Sequence, residues 1–141
     1  MTNSIEAKPL TYGDTEGEIL VLTEPISFWG GIDPETGIIA DIHHPEHGQC
    51  VTNRILALHS SRGSSTGSYI LMELMRAKIA PKAILLSQPD GVICTGVLVG
   101  GAIYGYELPV IQIPKDALES LKSGVTGKVV SNVDGATLNL K

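Results

Sequence analysis

The hydrophobic positions of this chain change period along its length, and those changes outline its elements. Glu18 to Thr23, EILVLT, is a short apolar run of strand character. Pro25 interrupts it, and ISFWGG resumes an extended apolar segment. GGIDPETGII reads as a turn punctuated by Gly31, Pro34 and Gly37, with Asp33 as its brace. A short strand, IIADI, and a polar loop, HHPEHGQCV, follow. RILALHS predicts a buried strand. From Thr66 or Gly67 to about Lys78 the period becomes helical. Ile70, Leu71, Leu74, Met75 and Ile79 fall at helical spacing, with Glu73, Arg76 and Lys78 elsewhere. Pro81 closes that helix. KAILLS predicts the next strand and QPDG a turn. VICTGVLVGGAIYG has a β-branched start but helical length and small residues, and is read as a helix packed closely through its glycines. LPVIQI is another buried strand. PKDALESLKSG, with Pro114 at its start and Gly124 at its end, predicts a helix. GKVVSNVDGATLNL predicts a closing hairpin across Asp134-Gly135.

Strands and helices alternate in the middle, while the ends are strand only. This order predicts an α+β fold, a small β/β/α domain built as a mixed sheet or compact barrel with flanking helices. The length of 141 residues predicts a single domain, residues 1–141. A chain of this size can bury a core without disulfide or metal staples. A net charge of -5 without a basic run argues against nucleic acid as a partner. MTNSIEAKPLTYGD lacks the basic start and apolar stretch of a secretory leader. No apolar run reaches the ~18 residues of a membrane-spanning helix. A soluble, cytoplasmic protein with no membrane partner is the expectation. Cys50 and Cys94 are far apart and form no CxxC pair. Two cysteines cannot supply the four ligands an iron–sulfur cluster typically takes, so they read as thiols in a reducing compartment.

Chemistry concentrates at SSRGSSTGS, Ser60 to Ser68, between a predicted strand and a predicted helix. The first N–H groups of a helix lack partners and attract anions. Two readings stay open there: a capped helix start with spare hydroxyls, or half of an active site. Arg62 favours the second, because a guanidinium beside a helix start favours a carboxylate or phosphate. The phosphate-loop pattern is not met, since no Gly-Lys pair follows. His43, His44 and His47 invite a zinc reading, but Pro45 breaks the helix that would align them and no cysteine is near. They read as a polar surface loop, and no metal is expected on the chain. Trp29 before two glycines is either a core tryptophan ahead of a turn or a point of close approach to a partner or ligand. Tyr104 and Tyr106 read as packing residues.

Taken together, EPISFWGGIDPETGIIADIHHPEHGQ, ILALHSSRGSSTGSYILMEL, APKAILL and LPVIQI resemble the small subunit of the aconitase X family. That family includes cis-3-hydroxy-L-proline dehydratases and archaeal mevalonate 5-phosphate dehydratases. The resemblance covers roughly Gly17 to Gly135, and FWGGIDPETG combined with a later SxRGSS is its specific part. His59-Ser60-Ser61 departs from the Pro-Ser-Gly run often seen there. The resemblance implies a swivelling domain that closes over a large subunit holding an iron–sulfur cluster. It implies a hydro-lyase with Ser64 as the base and with Arg62, Ser65 and Ser61 toward the substrate anion; Ser65 stays open as an alternative base. The substrate implied is cis-3-hydroxy-L-proline, giving Δ1-pyrroline-2-carboxylate, with mevalonate 5-phosphate as the alternative. A non-catalytic, anion-binding regulatory module is the competing reading from another class.

Overall fold

The computed structural model describes residues 3–63 and 65–141. Seven strands and four helices follow in the order β1 (Asn3–Thr11), β2 (Gly13–Val21), α1 (Phe28–Gly31), β3 (Ile55–Ala57), α2 (Gly67–Arg76), β4 (Ala83–Leu86), α3 (Gly91–Tyr104), β5 (Val110–Gln112), α4 (Lys115–Ser120), β6 (Thr126–Asn132) and β7 (Gly135–Leu140). The strands close into a barrel in the order β1-β5-β4-β3-β2-β6-β7. Neighbours β2, β3, β4 and β5 run parallel, and the other pairs are antiparallel. The expected mixed sheet or compact barrel is therefore a closed barrel with flanking helices.

The parallel strands explain why ILAL and AILL read as continuous apolar runs. Their side chains alternate between two cores, so both faces are buried. Ile55, Ala57, Ala83, Leu85 and Ile111 point into one core with Ile19, Val129 and Leu138. Leu56, Ile84, Leu86 and Val110 point into the other, against Leu71, Leu74 and Met75 of α2 and Ile93 and Val97 of α3. Truncating Leu71 or Leu74, both fully buried, to alanine would cost about 2–5 kcal/mol.

The helices α2 and α3 pack through small residues, as read from VICTGVLVGGAIYG. A Cβ on Gly96 would lie 3.0 Å from the Ser68 carbonyl, and one on Gly100 would lie 2.7 Å from the Met75 sulfur. The outer face of α3 carries no charge and leaves Leu98, Val99 and Ile103 exposed. No helix among the described residues is long and apolar enough to cross a membrane.

Several local expectations shift. The segment β1 goes unread in the sequence because its residues alternate between exposed and partly buried without a dense apolar run. FWGG is not extended: it is a single kinked turn, with Gly30 at φ 81. IIADI makes isolated bridges, Ile32 to Ile39 and Ile38 to Cys50, rather than a strand. The turn before it is braced as expected, with Asp33 Oδ1 accepting from the Glu35 N–H at 2.8 Å. The helix α2 ends at Arg76, short of Pro81, where Lys78 takes a left-handed φ of 61. The closing hairpin forms with Asn132 opposite Gly135, so its turn is Val133-Asp134, one residue earlier than expected.

Candidate functional site

Chain segments that leave parallel neighbours on the same side emerge at one edge of the sheet, and in such sheets ligands meet the carboxyl ends of the strands. The serine stretch leaves β3 and QPD leaves β4, so topology alone brings them together. The segment after β2 joins them through a parallel bridge between Ile26 and Ser61. There the Arg62 N–H donates to the Ile26 carbonyl at 3.0 Å. The two unusual stretches of the sequence, SFWGG and SSRGSSTGS, thus lie against each other.

Asp90 ties the assembly. It is the N-cap of α3, extended in backbone, and its Oδ1 accepts from the Ile93 N–H at 3.1 Å. Its Oδ2 accepts from both the N–H and the hydroxyl of Ser61, each at 2.6 Å. With three donors satisfied, a carboxylate can stay buried, and Asp90 is only 8% exposed. Ser68, in the first turn of α2, donates its hydroxyl to the Val92 carbonyl at 2.6 Å. Behind the loop, His59 Nδ1 and Ser87 Oγ share a hydrogen bond of 2.7 Å. A Cβ on Gly67 would touch Val92 and Phe28 at 3.2 and 3.4 Å, so α2 starts hard against both neighbouring segments.

Arg62, Gly63, Ser65 and Thr66 are exposed. Among the described residues no carboxylate lies within ion-pair distance of the Arg62 guanidinium. Gly63 takes a left-handed φ of 94, and a Cβ there would lie 2.9 Å from Ser27 Oγ. That hydroxyl donates to the Trp29 carbonyl at 3.0 Å. Ser64, the expected base, lies outside the described residues. Ser61, an expected substrate contact, directs its hydroxyl hydrogen to Asp90.

Phe28 fills the core at 1% exposed, while Trp29 is 58% exposed. The core reading of the tryptophan therefore fails, because Phe28 occupies the apolar space one residue before it. Tyr69, also exposed, follows at the start of α2. The histidine loop is more than a surface loop. His44 is buried, with Nε2 against the Glu24 carbonyl at 3.0 Å and Nδ1 accepting from the Glu46 N–H at 3.1 Å. Both ring nitrogens are used in holding the loop. Asp90 is the site residue that sequence reasoning missed, although an aspartate directly before a helical stretch is a capping signal.

The donor set does not fit an iron–sulfur cluster. Cys50 and Cys94 are free thiols, and burial pushes the Cys94 thiol up, away from the thiolate a metal needs. The described residues bring together no group of three or more metal-ligating side chains. The exposed guanidinium of Arg62 and the hydroxyl of Ser65 are groups that can bind an anion.

The chain matches the aconitase X swivel domain over residues 4–138. A cis-3-hydroxy-L-proline dehydratase of Pseudomonas aeruginosa is 41% identical over 106 residues, 75% of this chain and 18% of that protein. The chain thus spans less than a fifth of that relative's length. A phosphomevalonate dehydratase small subunit of Methanothermobacter thermautotrophicus is 32% identical over 117 residues, covering 83% of this chain and 85% of the relative. The crystal structure of the holo-form of Thermococcus kodakaraensis aconitase X matches with a TM-score of 0.87 at 28% identity, covering 99% of this chain and 98% of the other.

Proposed function

Because the chain belongs to the aconitase X swivel-domain family, we propose that it is the small subunit of a hydro-lyase, a dehydratase active only when this domain closes on a large partner subunit. The observation that carries the reading is the exposure of Arg62, Gly63 and Ser65 beside an entry anchored at Ser61 and Arg62. An open half-site with a fixed base is what a second subunit would complete.

Dehydration of a hydroxy acid breaks a C–H bond beside the carboxylate and a C–O bond on the next carbon. The C–H electron pair becomes the new double bond, the proton goes to a base, and hydroxide departs. From cis-3-hydroxy-L-proline, the proposed substrate, the product is an enamine that tautomerises to Δ1-pyrroline-2-carboxylate. Arg62 and Ser65 hold the substrate anion, and Ser64 takes the proton. A serine hydroxyl is a weak base, so it needs positive potential, which the start of α2 and the Arg62 charge provide. Ser61 serves behind them as an anchor. An iron–sulfur cluster held by the partner would supply Lewis-acid chemistry at the leaving oxygen. The free thiols Cys50 and Cys94 suit a cytoplasmic location.

Hydroxyproline is favoured by the 41% identity to the bacterial dehydratase. Phosphomevalonate is the second reading, favoured because the archaeal small subunit aligns over 85% of its own length. Co-expression with the large subunit, followed by assays on both substrates, separates them. The expected result is turnover of hydroxyproline by the complex and none by either part alone. Ser64→Ala should lower kcat by about 10²–10⁴-fold, the usual scale for a positioned acid–base group. Loss in Ser65→Ala alone would move the base by one residue. Full activity in both variants would leave an anion-binding module.

A further inference from the structure

We infer that Asp90 is a positioning residue for the dehydration, a latch that sets where the serine loop presents Arg62 and the hydroxyls after it. This inference rests on the proposed function. Three observations carry it. First, Asp90 is shared between two elements: one carboxylate oxygen caps α3 and the other holds Ser61 at two points. Second, Ser61 is adjacent to Arg62, whose own N–H is fixed to the Ile26 carbonyl at 3.0 Å. The loop's entry is therefore fastened on two sides, to the segments after β2 and β4. Third, the arrangement exceeds what a helix cap requires. A cap needs one acceptor, and Ser, Thr or Asn supplies it as well as Asp does. Only a carboxylate offers a second oxygen that accepts from both an N–H and an O–H while the first caps the helix.

Chemical logic supports a role beyond stability. Reacting groups must meet within a fraction of an ångström, and a misplacement of about 1 Å can cost about 10²-fold in rate. Arg62 is exposed and without a carboxylate partner among the described residues. Its placement therefore comes from its backbone, which is set by its own N–H bond to Ile26 and by its neighbour Ser61, which Asp90 holds.

The test uses the reconstituted complex and two cap-competent substitutions, Asp90→Asn and Asp90→Ser. Both retain an acceptor for Ile93 and remove the paired acceptance from Ser61. The expected result is a fall in kcat/KM of about 10²-fold, with the melting temperature of the free chain within a few degrees of wild type and partner affinity unchanged. Ser61→Ala, which keeps the N–H arm, should lose less. Ser61→Thr, which restores the hydroxyl, should recover most of the activity. The Asp90→Asn/Ser61→Ala double variant should be no worse than Asp90→Asn, since the two act through one contact. Wild-type kcat/KM in folded Asp90→Asn would overturn the inference, and so would losses that track melting temperature alone. In parallel, amide hydrogen exchange on the ¹⁵N-labelled full chain reads the Ser61 N–H directly. Protection lost in Asp90→Asn, with α3 amides unchanged, supports the latch even if the wild-type complex dehydrates neither substrate; that inactivity would count against the proposed function alone. Unchanged Ser61 protection would overturn the latch.

Discussion

Gly63→Ala tests whether the serine loop is held in the conformation described. Gly63 sits at φ 94, where an L-residue costs about 1–2 kcal/mol. The added Cβ would also lie 2.9 Å from Ser27 Oγ. Moving that hydroxyl breaks its bond to the Trp29 carbonyl, worth about 0.5–1.5 kcal/mol net. Against this, alanine restricts the unfolded chain and returns about 0.4–1 kcal/mol. The balance is a loss of about 0.5–3 kcal/mol, or roughly 2–10 °C in melting temperature for a domain of this size. The strain has little room to dissipate. Upstream, Ser61 and Arg62 are bonded to Asp90 and Ile26, and downstream Gly67 is seated against Phe28 and Val92. Gly48 is the internal control. It has a similar φ of 91 with nothing within 4 Å of a Cβ, so Gly48→Ala carries the backbone cost without the clash. Urea or thermal unfolding of both free variants gives the difference, and kcat of the reconstituted complex gives the functional effect. Gly63→Ala should be the less stable of the two and should lose activity, while Gly48→Ala should keep it. Equal stabilities together with a fully active Gly63→Ala complex would refute the held loop.

Three further outcomes are expected. Arg62→Lys should raise KM for the hydroxy acid about tenfold or more, because lysine cannot reproduce a bidentate fork; steady-state kinetics of the complex checks it, and unchanged KM would move Arg62 away from the substrate. Trp29→Ala should weaken association with the large subunit by about 1 kcal/mol or more while leaving the free chain's melting temperature nearly unchanged, since the side chain is 58% exposed; calorimetric titration and a thermal melt separate the two. The Cys94 thiol, pushed up chiefly by burial, should alkylate with iodoacetamide more slowly at pH 8 than a free model thiol. Its rate should climb as pH rises further toward its raised pKa, which mass spectrometry of Cys94 peptides will follow.

Much of the fold is legible because buried parallel strands leave an unmistakable trace. Each of ILA and AILL is apolar throughout, since alternate residues enter different cores. The helical face of α2 is equally plain, with Ile70, Leu71, Leu74 and Met75 buried as their spacing requires. The strand β1 is obscure for the opposite reason. It has one partner that belongs to the barrel's parallel half and one from the closing hairpin, and its side chains are only partly covered. Its strand character comes from pairing with residues about a hundred positions away, which no local window contains.

The site divides along the same line. Arg62 and the hydroxyls are visible in the sequence because their composition is odd for a junction. The exposure of Trp29 is not, because local chemistry cannot say whether it or Phe28 takes the core. Nor can sequence show that the Ser61 hydroxyl is directed to Asp90, 29 positions away. That contact follows from strand order: β3 and β4 are parallel neighbours, so the loops that leave their carboxyl ends must pass side by side. A barrel with this order has one edge where the segments after β2, β3 and β4 meet, and SFWGG, SSRGSSTGS and QPD lie on it. The histidine loop is fastened beside it, since His44 Nε2 hydrogen-bonds the Glu24 carbonyl and Glu46 Oε1 accepts from the Thr23 N–H, both in the segment after β2. The proposed site therefore lies where rigid strands end and exposed side chains begin, a place where a small domain can offer polar groups to a partner without loosening its own core.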